Sequence, residues 1–219
     1  MDNIIATGDE QFHTEVIDEI KKRFKISKDQ EGNFTNTGMA VWTDSKGQVH
    51  LNQNKYIEEM EEIPVGIEED MTDEKCKGVI CQAVGKLLYL NLTRPDISFK
   101  INMISRLTPG ENQKDKVKQA RELIAEVKKT KVEIKYGTLG SLESLYLEVH
   151  VDAAFGNVED KTRSTEGAVI ILRGSEGTGS PIYWRSKVNA RVCKSAKSAD
   201  TCALEDAIDS AINIGRQVH

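Results

Sequence analysis

From Leu145 to Asp152 the chain reads LYLEVHVD, with apolar and polar residues in alternation. A period of two places Leu145, Leu147, Val149 and Val151 on one face of a strand and Tyr146, Glu148, His150 and Asp152 on the other. Such a strand is buried on one side only. Ala168 to Leu172 is a short apolar run, GSEGTGSP has turn composition, and Ile182 to Lys187 forms a third strand around Trp184. The short connections predict an antiparallel meander. Beyond it, Leu204, Ile208 and Ile212 recur every fourth residue, which predicts a helix over 199–217 that packs this stripe across the meander.

Upstream the period is mostly helical. Phe12, Val16, Ile20 and Phe24 predict a helix over 10–24, seated on a strand that ends at Ile4 and Ile5 and capped by Thr7 or Asp9. Strand-like stretches over 34–43 and 48–51 flank Asp44-Ser45-Lys46-Gly47 and form a β-hairpin. KYIEEM makes a short helix, and an acidic loop runs on to Asp73. Three longer helices follow. The first is capped by Thr72 or Asp73 and carries Val79, Ile80, Ala83, Val84, Leu87 and Leu88 on a broad apolar face. The second opens at Pro95, whose missing N–H costs nothing in a first turn, and carries Ile97, Ile101, Ile104 and Leu107. The third turns Val117, Ala120, Ile124 and Val127 inward. Val132, Ile134 and Tyr136 then alternate as a strand, and Gly137 to Ser144 has linker composition. The pattern as a whole is that of an α+β chain in two parts, residues 1–137 and 145–219.

Composition narrows the chemistry. With 30 Lys and Arg against 35 Asp and Glu, the net charge of −5 offers a polyanion no bulk attraction, so any nucleic-acid contact must come from a local patch. Lys187, Arg191, Lys194 and Lys197, just ahead of the last helix, form one candidate. Lys114, Lys116, Lys118, Lys128, Lys129, Lys131 and Lys135 form another, with a solvated helix face as the competing reading. Cys76, Cys81, Cys193 and Cys202 include no CxxC pair and point to reduced structural thiols in an intracellular setting, cytoplasm and nucleus being equally compatible. No apolar run reaches the roughly 20 residues that span a bilayer, so no membrane partner is expected. The four histidines show no metal-ligand spacing.

Longer strings carry a resemblance. VDAAFGNVEDKTRSTEGAVIIL and PIYWRSKVNARVCKSAKSADTCALEDAID resemble the ribonuclease H domain of copia-type LTR retrotransposon polyproteins. Arg163, Ser164, Thr165 and Gly167 match its Arg-Ser-Thr-x-Gly segment, and Ile182, Trp184, Ser186 and Lys187 match the next strand. The upstream part resembles the same polyprotein. MDNIIATG is similar to the Asp-Asp strand of the reverse transcriptase palm, Gln53, Tyr56 and Ile57 fit the segment after the hairpin, and Gly85, Leu88, Tyr89, Leu90, Arg94, Pro95, Asp96, Ile97 and Ser105 fit the thumb-like helices. The likeness runs through nearly the whole chain.

The resemblance implies a site. Asp152 takes the place of the first ribonuclease carboxylate, and Asp200 stands where the family has a helix Glu, one methylene shorter, with Glu205 as the alternative. In the intact parent such groups hold two Mg2+ or Mn2+ ions that drive in-line cleavage of the RNA strand of an RNA–DNA hybrid. Asp2 matches the first acid of the palm pair, but Asn3 replaces the second, and a neutral amide does not substitute for that carboxylate. The family's further ribonuclease carboxylates fall beyond His219. The expectation is therefore a fragment of a reverse transcriptase and ribonuclease H, inactive as this chain, holding no metal tightly, and open to a partner chain that completes the fold. The alternative is a repurposed nucleic-acid-binding or scaffold protein without catalysis.

Overall fold

The computed structural model of the chain describes residue 8 and residues 10–26, 30, 32–106, 112–158, 163–175 and 177–218. Its first helical stretch consists of α1 (Glu10–Phe12) and α2 (Asp18–Arg23), joined by a π-helical turn over His13–Ile17. The apolar face expected there is not a core: Val16 is 38% and Phe24 65% exposed. The strand at Ile4 and Ile5, together with Thr7 and Asp9, lies outside the described residues.

A four-stranded antiparallel sheet follows, in the order β1 (Phe34–Asn36), β2 (Met39–Thr43), β3 (Val49–Asn52) and β4 (Ile134–Tyr136). The stretch expected as one strand over 34–43 is folded in two. Thr37 and Gly38 both take positive φ, 49° and 87°, the geometry of a tight two-residue hairpin turn. The next turn is held by Asp44, whose Oδ1 accepts from the N–H groups of Lys46 at 2.8 Å and Gln48 at 3.0 Å. His50 of β3 stacks on Trp42 and sits between Asp44 and Glu133, at 3.2 and 3.3 Å.

Of the helices between β3 and β4, α3 (Asn54–Glu59) packs on β2, while α4 (Asp73–Leu90), α5 (Ser98–Ser105) and α6 (Gln113–Lys129) pack on one another. Thr72 caps α4, accepting from the Lys75 N–H. Burial picks a narrower face of α4 than the pattern drew: Ile80, Ala83 and Leu87 are buried while Leu88 is 54% exposed. Ile101 and Ile104 of α5 and Val117, Ala120, Ile124 and Val127 of α6 complete the same core. Leu107 falls outside the described residues. Arg94, 1% exposed, ties the turn before α5 to the end of α6 by donating to Asp96, to the Thr130 carbonyl at 2.9 Å and to Thr130 Oγ1 at 3.0 Å.

The remaining strands form a second antiparallel sheet, β5 (Tyr146–Ala154), β6 (Thr165–Arg173) and β7 (Gly179–Val188), in that spatial order. The protein is thus α+β, as the pattern predicts. Before β5 the chain passes so close to the turn after β6 that a Cβ on Gly174 would meet the Leu139 carbonyl oxygen at 1.9 Å. α7 (Ala196–Val218) covers one face of this sheet. It does so with Ala199, Ala203 and Ala207, which are 0%, 1% and 0% exposed, and not with Leu204, Ile208 and Ile212, which are 46%, 45% and 47% exposed. Alanines let the helix approach the strands closely, and that proximity outweighs the greater apolar area of the other stripe.

Candidate functional site

Two faces of the β5–β7 sheet carry polar chemistry, and register decides which residue belongs to which. Asp152 pairs with Gly167 and Gly167 with Ser186, while His150 pairs with Val169 and Val169 with Trp184. Cross-strand partners share a face, so Asp152, His150, Trp184 and Ser186 all lie on the side away from α7. That side docks on the helical part of the chain. Trp184 Nε1 donates to the Asn91 carbonyl at 2.8 Å, Asn102 Nδ2 to Ser186 Oγ at 3.0 Å, and the Arg106 guanidinium to Thr165 Oγ1. Between the docking points lies a groove of about 430 Å³, lined by Pro95, Asp96, Phe99, His150, Asp152 and Trp184 among others.

Inside this groove the acids do not converge. Asp96 is committed to Arg94, whose hydrogen bonds hold its carboxyl below the ordinary value. His150 bonds Glu148 and not Asp152, and Glu148 is also gripped by Arg173, the main cause of its lowered pKa. Asp152 is exposed, and its side chain makes no ion pair or hydrogen bond with the described residues.

The α7 side holds the denser cluster. Glu166, 2% exposed, meets Arg185 Nη2 and Lys187 Nζ, each 3.2 Å from its Oε1. Lys187 also donates to Asp206 of α7, and Arg185 Nη2 lies 3.5 Å from the same carboxylate. Burial pushes the Glu166 carboxyl up, with the neighbouring Asp206 charge adding to it, whereas the Lys187 hydrogen bond holds Asp206 down. Glu166 occupies the variable position of Arg-Ser-Thr-x-Gly, so no motif signals it. The only sequence signal is its even spacing from Ala168 and Ile170 on β6, which puts it on their buried face.

The residues expected to form a metal site are not brought together. Asp200 is exposed on α7, the helix that covers the opposite face of the sheet from Asp152. Glu205, the alternative, bonds Arg191 at 2.6 Å on the outer surface of that helix. Asp2 lies outside the described residues. Among the described residues no group of three or more His, Cys, Asp or Glu side chains is arranged to hold a metal ion, so the donor set does not fit a Mg2+ or Mn2+ pair.

The cations are largely spoken for. Of the Lys187–Lys197 patch, whose last residue lies in the first turn of α7, Lys187 and Arg191 face carboxylates, while Lys194 and Lys197 are exposed. The other lysine set is neither a phosphate-facing row nor a plain solvated face. Lys116 is buried and bonds the carbonyls of Met103 and Arg106 at the end of α5, and Lys114 donates to the Glu69 carbonyl at 2.8 Å. Lys128, Lys131 and Lys135 pair with Glu62, Glu58 and Glu133.

Comparison with known proteins gives this arrangement a lineage. Over 223 residues, 91% of the chain, it is 26% identical to the retrovirus-related Pol polyprotein from transposon RE1 of Arabidopsis thaliana, of which the match spans 14%. Over 106 residues, 48% of the chain, it is 35% identical to a putative transposon Ty5-1 protein of Saccharomyces cerevisiae, of which the match spans 32%. No family model matches, and no solved structure matches significantly. The chain corresponds to less than a third of the length of either curated relative, yet the first similarity extends through nearly all of it, and it is accordingly a relative of retrotransposon polyproteins.

Proposed function

We propose that this chain corresponds to the end of the reverse transcriptase and the start of the ribonuclease H domain of a copia-type retrotransposon polyprotein, and that alone it neither copies RNA nor cleaves an RNA–DNA hybrid. The carrying observation is the separation of Asp152 from Asp200 by the sheet itself. Two-metal hydrolysis needs carboxylates that share ions about 3.5–4 Å apart. Asp152 and Asp200 are presented to different sides. The assignment to copia-type ribonuclease H is supported by the Arg163-Ser164-Thr165-x-Gly167 and Ile182-x-Trp184-x-Ser186-Lys187 strings, which lead into and fill β6 and β7. With Lys187 and Arg191 committed to acids, affinity for a hybrid rests on Lys194 and Lys197 and is weak.

The test is incubation of the whole chain with an end-labelled RNA–DNA hybrid in Mg2+ and, separately, Mn2+, together with binding across a salt series. No cleavage and weak binding are expected. Metal-dependent cleavage that disappears in Asp152→Asn would overturn the inert assignment. Tight, steeply salt-dependent binding that Lys194→Glu and Lys197→Glu weaken would favour a repurposed nucleic-acid-binding protein instead.

A further inference from the structure

Between β7 and α7 the backbone folds back along the helix. Asn189, 3% exposed, donates its N–H to the Ser164 carbonyl at 2.7 Å and accepts from the Arg191 N–H at 2.9 Å. Arg191 then reaches Glu205 of α7, and the buried Cys193 thiol turns back toward the Arg191 carbonyl at 3.8 Å. Cys202 of α7 meets this segment. It lies one turn ahead of Asp206 and shares the flank that Asp206 presents to Lys187 of β7. Its thiol is the hydrogen-bond neighbour of the Cys193 thiol, and the Arg191 guanidinium faces it as well. Two sulfurs well separated in sequence are thus side by side, in a contact made wholly by the β7–α7 connection and the first turns of α7. The other two cysteines offer a contrast. Cys76 and Cys81 share α4, but their positions point about 140° apart around the helix, and Cys76 is buried while Cys81 is exposed.

We infer that Cys193 and Cys202 form a redox-modification site, closing to an intramolecular disulfide in exchange with a small-molecule disulfide such as oxidised glutathione. The inference is independent of the proposed retrotransposon function. Exchange runs through the thiolate, and Cys202 is the more exposed of the two sulfurs. The Cys202 thiolate attacks one sulfur of the glutathione disulfide, which gives a mixed disulfide and releases one glutathione thiolate. The Cys193 thiolate then attacks Cys202 Sγ, the intramolecular S–S bond forms, and the second glutathione thiolate leaves. Two protein thiols are oxidised, one glutathione disulfide is reduced, and the two thiol protons end on the two released glutathiones. Burial pushes the Cys193 thiol up, with the neighbouring Cys202 adding to it, so Cys193 is the resolving sulfur and not the first to attack. Its proximity offsets its smaller thiolate fraction. The closed bond ties the turn after β7 to the second turn of α7 and holds residues 194–201 in a short loop.

The full chain, equilibrated in buffers of stepped reduced to oxidised glutathione ratio and quenched with acid, tests this by peptide mass mapping and thermal unfolding. The expected product is a peptide pair joined through positions 193 and 202, with Cys76 still a free thiol. Closing so short a loop should raise Tm by about 5–10 °C over the reduced chain. Cys202→Ser, at a partly exposed position, should leave Cys193 reduced and remove that rise, and Cys193→Ala should stop the reaction at a glutathione adduct on Cys202. Free thiols at both positions at every ratio would overturn the inference. So would a glutathione adduct that persists on Cys202 in the unsubstituted chain, or a bond from either sulfur to Cys76 or Cys81.

Discussion

Replacing Lys187 with methionine isolates the polar cluster beneath α7. In the native protein two cations, Arg185 and Lys187, face two carboxylates, Glu166 and Asp206, with Glu166 only 2% exposed. Breaking a fully buried pair costs about 3–5 kcal/mol. The Lys187 side chain is 40% exposed, so water screens part of the interaction. A loss of about 2 kcal/mol at neutral pH is therefore expected, which in a chain of this size lowers Tm by about 4–8 °C.

The pH dependence is the sharper signature. Burial raises the Glu166 carboxyl above its ordinary value, so the folded state holds this proton more tightly than the unfolded state. Its stabilising contribution is full below the unfolded pKa and is lost as pH rises through the folded one. Lys187 opposes that rise by favouring the ionised form, so the methionine penalty should grow as pH rises and Glu166 ionises, on top of a part from the lost Asp206 pair that persists wherever Asp206 is charged. Urea unfolding at stepped pH measures it. Glu166→Gln, with both cations present, should change stability by less than about 1 kcal/mol, and adding it to Lys187→Met should recover the pH-dependent part of the loss while leaving the part due to Asp206. A methionine penalty that is constant with pH, or whose pH-dependent part the second substitution leaves in place, would refute the assignment of Lys187 as the counter-ion of Glu166.

Two further outcomes are specific. Arg121 donates to both oxygens of Glu68, at 2.8 and 3.0 Å, and holds that carboxyl at about 2. A depressed carboxylate stabilises above its unfolded pKa and loses that contribution as pH falls toward the folded value, so Glu68→Gln should flatten the acid limb of an unfolding titration followed by circular dichroism. Arg94→Lys keeps the charge but not the forked contact with Asp96 and Thr130, and should lower stability by about 2–4 kcal/mol in urea unfolding at neutral pH; full retention of stability would show that the fork is dispensable.

Local pattern and tertiary structure divided the information unevenly. Alternation in LYLEVHVD was sufficient for β5 and for both of its faces, because strand sterics act residue by residue. Helical spacing likewise identified Ile80, Ala83, Leu87, Val117, Ala120, Ile124 and Val127, all of them buried in the core. The same reasoning chose the wrong stripe of α7. Two apolar stripes share that helix, and hydrophobicity ranks leucine and isoleucine above alanine, whereas the distance between helix and sheet favours the small side chain.

What the sequence by itself determined was the order and type of the elements, most of the helical core, and a family likeness in the strings around β6 and β7. Which polar groups meet was decided only by the tertiary structure. Register across three strands sends Asp152 to the groove and Glu166 beneath α7, and it gives Lys187 to two carboxylates. A separation along the chain says nothing about which side of a sheet a residue occupies, and the electrostatics of a carboxylate follow from what that side brings within a few ångströms.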